Sequence, residues 1–432
     1  MTDEPLMGEA ALSCARTPRV ILTLAGSLFA VSFLVSTVGT VANASEGPKA
    51  RNMHALVGRL SPGATFTLPR GVTNLRQPLS VPRGVTVQGH PRGSVLRIAR
   101  GAAEAFGYSF MITPAAGTAG NVTVRDFTLD GSRSRGIPDN SGGGVKAGPS
   151  WTIKDVHLSN MSYFKVWVYR VTDVDVRRNT FDAEFGTSSK HDNIGGGRAR
   201  DVTLSGNQFD VSTRGNAIDL VAPRNVTVTD NVVRGAPGRE HSIFLEGVRR
   251  GLVADNDLTG SSITVQGNAR YRDKGDAVNP LGVRIEGNSV RNAPAHGIAI
   301  KYEDQGVRSA SGGANSLVGN RVSGSGLSGM AILQCTVGAA TRPDAIVGNT
   351  VVDPFARGDS DWSTGCGTVP SNGIAVTGGS AEISQNRVVD RRDRPTTKFG
   401  LFVGAGGGRV PLGRITLWGN TGSGLSVGVS NR

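Results

Sequence analysis

Short runs of alternating apolar and polar residues recur along the chain, and each ends on an asparagine. In "RNVTVTDNVV", residues 224–233, Val226 and Val228 alternate as one face of a strand, and Asn231 stands where the next apolar position should fall. The unit returns as "DVDVRRNTF", "DVTLSGNQF", "GLVADNDL" and "GVRIEGNSV", then as "SLVGNRV", "AIVGNTV", "AEISQNRV" and "RITLWGN". Asn179, Asn207, Asn231, Asn256, Asn288, Asn320, Asn349, Asn386 and Asn420 therefore form one column, with neighbours 24 to 37 residues apart. A basal unit of about two dozen residues with variable insertions predicts a stacked repeat rather than a sandwich or barrel.

A second column runs through the same units: "NAIDLVA", "HSIFLEG", "SSITVQG", "HGIAIKY", "SGMAILQ" and "NGIAVTG" each carry two alternating core positions. Each coil thus supplies a first strand, a turn, a second strand ending at the asparagine, and a short third strand. Asparagine tolerates the left-handed backbone that a sharp corner needs, which predicts that conformation at the asparagines themselves. Stacking then lets equivalent amides hydrogen-bond from coil to coil.

This "G-I-x-[VIL] … V-x-[VI]-x-x-N-x-[VF]" unit resembles the right-handed parallel β-helix of the pectate lyase-like superfamily over residues 60 to 429. The entry "ALVGRLSPGATFTLPRGV" is similar to that superfamily's helix-then-strand cap. The resemblance implies an all-β, single-stranded right-handed parallel β-helix of about twelve coils with an N-terminal capping helix. The expected boundaries are a signal segment over 1–44, a cap over 45–60 and the β-helix over 61–432. It also implies that polysaccharide lies on or beside the first-strand face. Lyases, hydrolases, epimerases, depolymerases and non-catalytic adhesins share the fold, so it does not choose the reaction.

Composition agrees with short strands and tight turns, with 61 glycines and only 5% aromatic residues. The run "RVILTLAGSLFAVSFLVSTVGTVANAS" has arginines ahead of an apolar stretch and Ala42-Asn43-Ala44 as a cleavage pattern, which predicts export. An uncleaved anchor, and hence membrane attachment, is the rival reading. Cleavage removes Cys14 and leaves Cys335 and Cys366, an even pair expected to form a disulfide in a secreted or cell-surface protein. The formal net charge of +13 points to an anionic extracellular polysaccharide as partner. Self-association stays open, and the short basic loop "RRDR" at 391–394 reads as a solvated turn, so no nucleic-acid partner is expected.

Insertions lengthen the turns on both sides of the first strand, making that strand column the floor of a trough. Alternation places Asp219, Val221, Phe244, Glu246, Thr264, Gln266 and Lys301 outward, with Asp192, Asn193, Asn216, His241, Ser261 and His296 at or beside the preceding corner. Asp219 and Glu246, one coil apart and offset by two residues, fall roughly 8 Å apart, a spacing suited to inverting hydrolysis. Calcium held by the same pair is the open cofactor expectation. For β-elimination, which stands slightly ahead, Lys301, His241 or His296 would be the base and Tyr302 the acid. Arg270, Arg272 and Arg308 would clamp the carboxylate. Trp167 is the candidate for stacking on a sugar ring. The paired-Asp and Gly-His-Gly signatures of polygalacturonases are absent, as is the arginine-centred pattern of typical pectate lyases. A non-catalytic binding or adhesive rod is the alternative function.

Overall fold

The computed structural model describes residues 48–423 except 107–108, 118–119, 133–141, 183–191, 212–214, 236–241, 269–277, 304–311, 336–339, 357–360, 365–366 and 406–410. The expected signal segment therefore lies outside the described residues. So do five of the candidate residues, His241, Arg270, Arg272, Arg308 and Cys366.

The chain winds in turn through three parallel sheets. The first has twelve strands, from Leu79–Val81 to Phe399–Gly404. The second has thirteen successive strands, from Thr65–Thr67 to Leu412–Trp418, with Gly312–Gly313 and Ala340–Arg342 attached beside that path. The third has thirteen, from Gly71–Leu75 to Thr421–Ser423. Strand pairs join equivalent residues of successive coils, as in Val202↔Val226 and Val226↔Gly251. This is a parallel β-helix.

Alternation within each strand decides what is buried. In the first sheet Ile194, Ile218, Ile243, Ile263 and Ile298 pair in register, and all are fully buried. They belong to one apolar column that runs from Met53 to Val403, because no coil covers its own apolar edge and each neighbour must. The helix Pro48–Gly58 buries Met53 and Val57 against the first coils.

At the corner between the second and third sheets the asparagines stack. Asn231 Oδ1 accepts both the backbone N–H and the Nδ2 of Asn207 at 3.0 Å. Its own Nδ2 donates to Asn256 Oδ1 and to the Leu204 carbonyl, each at 2.9 Å. The pattern continues to Asn420, whose Oδ1 accepts the N–H and Nδ2 of Asn386 at 3.0 Å. One expectation is corrected: the left-handed residue is the one before each asparagine. Asp230 has φ 57°, Asp255 54°, Arg178 54° and Gly206 62°, and none of the column asparagines has positive φ. The preceding residue turns the chain, and the amide is left free to point inward and pair.

Candidate functional site

On the first sheet, strand register generates two outward columns. One runs Trp167, Gly195, Asp219, Phe244, Thr264, Ala299; the other runs Tyr169, Gly197, Val221, Glu246, Gln266, Lys301. Ionisable and amide side chains are concentrated on the strands from Ile218–Val221 to Ile298–Tyr302, beyond which the columns continue as Ala331, Leu333 and Ala375. Asp219 pairs with Phe244, and Glu246 pairs with Val221. The two carboxylates are thus one strand spacing apart and two residues out of step, roughly 8 Å between Cα atoms. Asp219 is half-buried, whereas Glu246 is fully buried although it lies on the outer side of the sheet. Gln266 pairs with Glu246, and Lys301 with Gln266, so an acid, an amide and a base succeed one another on three coils.

A polar row borders this floor where the chain enters the first strands. The Asn216 amide N–H donates to Asp192 Oδ1 at 2.6 Å, and its Nδ2 donates to Asp219 Oδ2 at 3.3 Å. Asn216 thereby fixes Asp219 from one side while its own Oδ1 is buried with no hydrogen-bond partner. An acceptor held away from water without a donor costs about 1–3 kcal/mol, which a ligand hydroxyl or amide would recover. Asn193 Oδ1 accepts from Lys165 Nζ at 2.6 Å, and both residues are buried. Lys165 escaped sequence reasoning. The available signal was its place immediately before a first strand, where the next coil has Asn193. Ser242 and Ser261 continue the row with a hydroxyl pair at 2.8 Å, and His296 is buried at its end.

Other candidates are placed elsewhere. Tyr302 is turned into the core, fully buried, and its hydroxyl lies 2.6 Å from Asp344 Oδ2. The parity of the strand explains this, since Lys301 faces out and the next residue must face in. Trp167 is on the outer face between buried Val166 and Val168, but its ring has Phe164 at 4.5 Å and Tyr169 at 5.8 Å. Lateral aromatic packing therefore takes up much of its surface. Cys335 is half-buried, and its expected partner Cys366 is outside the described residues. Among the described residues no group of three or more His, Cys, Asp or Glu side chains is gathered for a metal ion. Calcium at Asp219 and Glu246 would thus have these two carboxylates and no third acidic ligand from the described part.

The roots of two insertions are pinned by asparagines beside this floor. Asn268 Oδ1 accepts the Val278 N–H at 2.5 Å, and Asn279 exchanges hydrogen bonds with the Glu303 backbone at 2.9 and 3.1 Å. Both tie the turn after a first strand at its base, next to Gln266 and Lys301.

The fold and the bordered floor define a parallel β-helix with a polar outer face on its first sheet. No protein-family model matches the chain, and no curated protein matches it in sequence. Among solved structures it is similar to the catalytic unit of a thermostable GH87 α-1,3-glucanase from Streptomyces thermodiastaticus, with 16% identity, a TM-score of 0.57, and coverage of 87% of this chain and 66% of that one. It is also similar to the tailspike protein of E. coli bacteriophage HK620 in complex with a pentasaccharide, with 10% identity, TM-score 0.54, and coverage of 88% and 76%. A third is PfbA, a surface adhesin of Streptococcus pneumoniae, with 11% identity, TM-score 0.50, and coverage of 88% and 87%. At these identities the likeness establishes the fold alone.

Proposed function

We propose that this protein is an exported carbohydrate-active β-helix that binds an anionic polysaccharide along the outer face of its first sheet and hydrolyses it with inversion. The observation that carries the reading is the register that sets Asp219 against Phe244 and Glu246 against Val221. It leaves roughly 8 Å between the two backbones, which suits carboxyl groups separated widely enough to hold a water. In this reading half-buried Asp219, steadied by Asn216, takes a proton from water as its oxygen bonds to the anomeric carbon. Fully buried Glu246 gives its proton to the departing glycosidic oxygen. Solved structures of similar fold include a glucanase and a tailspike bound to a pentasaccharide, and these support a carbohydrate as the ligand.

β-Elimination is the second reading, favoured by Lys301 in the Glu246 column. It ranks lower because Tyr302, its expected acid, is in the core. The test is incubation of the mature protein with uronate polymers and neutral glucans, following reducing ends and ultraviolet absorbance of unsaturated sugar together. Reducing ends without unsaturation support hydrolysis; unsaturated product moves the assignment to a lyase. Neither product across the panel defeats the enzymatic reading and leaves a binding rod.

A further inference from the structure

Beyond the floor, three arginines stack on successive coils. Strand register pairs Arg200 with Arg224 and Arg224 with Arg249. Their backbones are therefore about 4.8 Å apart from one coil to the next. Each stands three residues after an outward position of the floor: Arg200 after Gly197, Arg224 after Val221 and Arg249 after Glu246. Three residues span at most about 10 Å, so the arginine column runs alongside the floor at the corner between the first and second sheets.

Like charges placed opposite one another on neighbouring strands repel. Other arginines on coil-to-coil positions meet an acid: Arg178 meets Asp155 at 2.7 Å and Arg291 meets Asp257 at 2.5 Å. Among the described residues, Arg200, Arg224 and Arg249 have no such partner. Arg200 and Arg224 are exposed, and the Nε of half-buried Arg249 is shielded from water without a hydrogen-bond acceptor. The adjoining corner positions change from acidic to basic along the axis, from Asp173 and Asp201 to Asn225 and Arg250. The Asp201 carboxylate is engaged by Asn225 Nδ2 at 2.8 Å rather than by an arginine. Repulsion and a buried orphan donor are both relieved by the same thing, a row of anionic oxygens parallel to the solenoid axis.

We infer that Arg200, Arg224 and Arg249 form an anion-binding ladder that holds the acidic groups of a polysaccharide lying beside the first-sheet floor. The ladder deepens the carbohydrate reading and rests on it for the class of polymer. Its chemistry suits carboxylate and sulfate alike, since guanidinium forks donate to the oxygens of either. In the chain its mark is an arginine that opens three successive second strands, in "ARDVTL", "PRNVTV" and "RRGLV".

The test uses the full mature protein and the triple variant R200Q/R224Q/R249Q, with R59Q/R70Q/R100Q as a control of equal charge change on exposed arginines of the cap and the first coils. Affinities for polygalacturonate, dextran sulfate, neutral dextran and a DNA duplex are measured across a salt series. The ladder variant is expected to lose about tenfold or more in affinity for one or both acidic polysaccharides and to show a shallower salt dependence, with dextran unaffected. Loss on polygalacturonate alone identifies carboxylate, and loss on dextran sulfate alone identifies sulfate. Unchanged affinity in the ladder variant overturns the inference, as does an equal loss in the control. So does tighter binding of the duplex than of either polysaccharide. Turnover is read separately: a wild-type protein that binds acidic polymer through the ladder and cleaves nothing removes the hydrolase reading while leaving the ladder in place.

Discussion

The Tyr302 hydroxyl donates to Asp344 Oδ2 at 2.6 Å inside the stack, and the Asn315 backbone N–H donates to the other oxygen of that carboxylate at 2.9 Å. Burial is the largest influence on Asp344 and pushes its pKa up to about 6, with the hydrogen bonds from Tyr302 and Asn315 acting against it. Burial likewise raises Tyr302, next to the same carboxylate. The folded state therefore holds a proton on Asp344 where the unfolded chain has released it. That contribution to stability is full below about pH 4, declines as pH rises toward about 6, and is absent above. Its size is at most about 3 kcal/mol. Asp344→Asn keeps an acceptor for Asn315 and removes the titration. The difference in urea midpoint between wild type and variant is expected to change between pH 4 and 6.5 and to be flat above. A difference that is constant over the whole range contradicts this.

Asn231→Ala is expected to destabilise the fold by about 2–5 kcal/mol. The substitution strips the acceptor from the Asn207 backbone N–H and Nδ2 and the donor from the Leu204 carbonyl, all of them inside the stack. Asn225→Ala, at an exposed asparagine six residues earlier, is the internal comparison; its φ of 53° puts alanine in the left-handed region, so it should cost about 1–2 kcal/mol, less than the buried ladder position. Denaturant unfolding of both variants checks the contrast.

Much of this architecture was legible because side-chain period and stacking speak through the chain directly. The inward isoleucines, the outward offset of Asp219 and Glu246, and the asparagine column all follow from two-residue alternation repeated coil after coil. The error at the asparagine corner has a physical origin: several residue types tolerate a left-handed backbone, and here Asp, Arg, Gln or Gly takes it so that the amide can turn inward. Tyr302 closes the strand Ile298–Tyr302 one residue after outward Lys301, so the same alternation that exposes the lysine puts the tyrosine inside, whatever chemistry its hydroxyl suggests. Lys165 and the arginine ladder went unread for a different reason. Each is an ordinary residue whose meaning comes only from its neighbour one coil away, and insertions of different length hide that neighbour.

Gly195 and Gly196 occupy one strand of the floor and should respond unequally to substitution. Gly196 has φ 149°, and a Cβ there would fall 1.9 Å from the Val168 carbonyl oxygen, a backbone atom in the preceding coil. At Gly195 the obstacle is the Phe164 ring, 2.4 Å from the added carbon, and a ring can rotate away. Gly196→Ala is expected to cost more than about 3 kcal/mol and Gly195→Ala about 1–3 kcal/mol. Thermal unfolding should rank them in that order. Equal costs would mean that the strand shifts as a unit instead of resisting at the carbonyl.

Asp219→Asn and Glu246→Gln are expected to lower kcat by roughly 10²–10⁴-fold on whichever polymer the wild type hydrolyses, with KM changed little. The two variants should differ in rescue. A small added nucleophile such as azide can replace the water that Asp219 would activate, so Asp219→Asn should regain turnover with azide. Glu246→Gln should instead recover only on substrates whose leaving group departs without a proton. Lys301→Met separates this scheme from elimination, because a lyase loses its base while a hydrolase retains the two carboxylates. If Lys301→Met abolishes turnover and both carboxylate variants keep wild-type rates, catalysis belongs to the Lys301 end of the column and the Asp219–Glu246 pair serves binding alone.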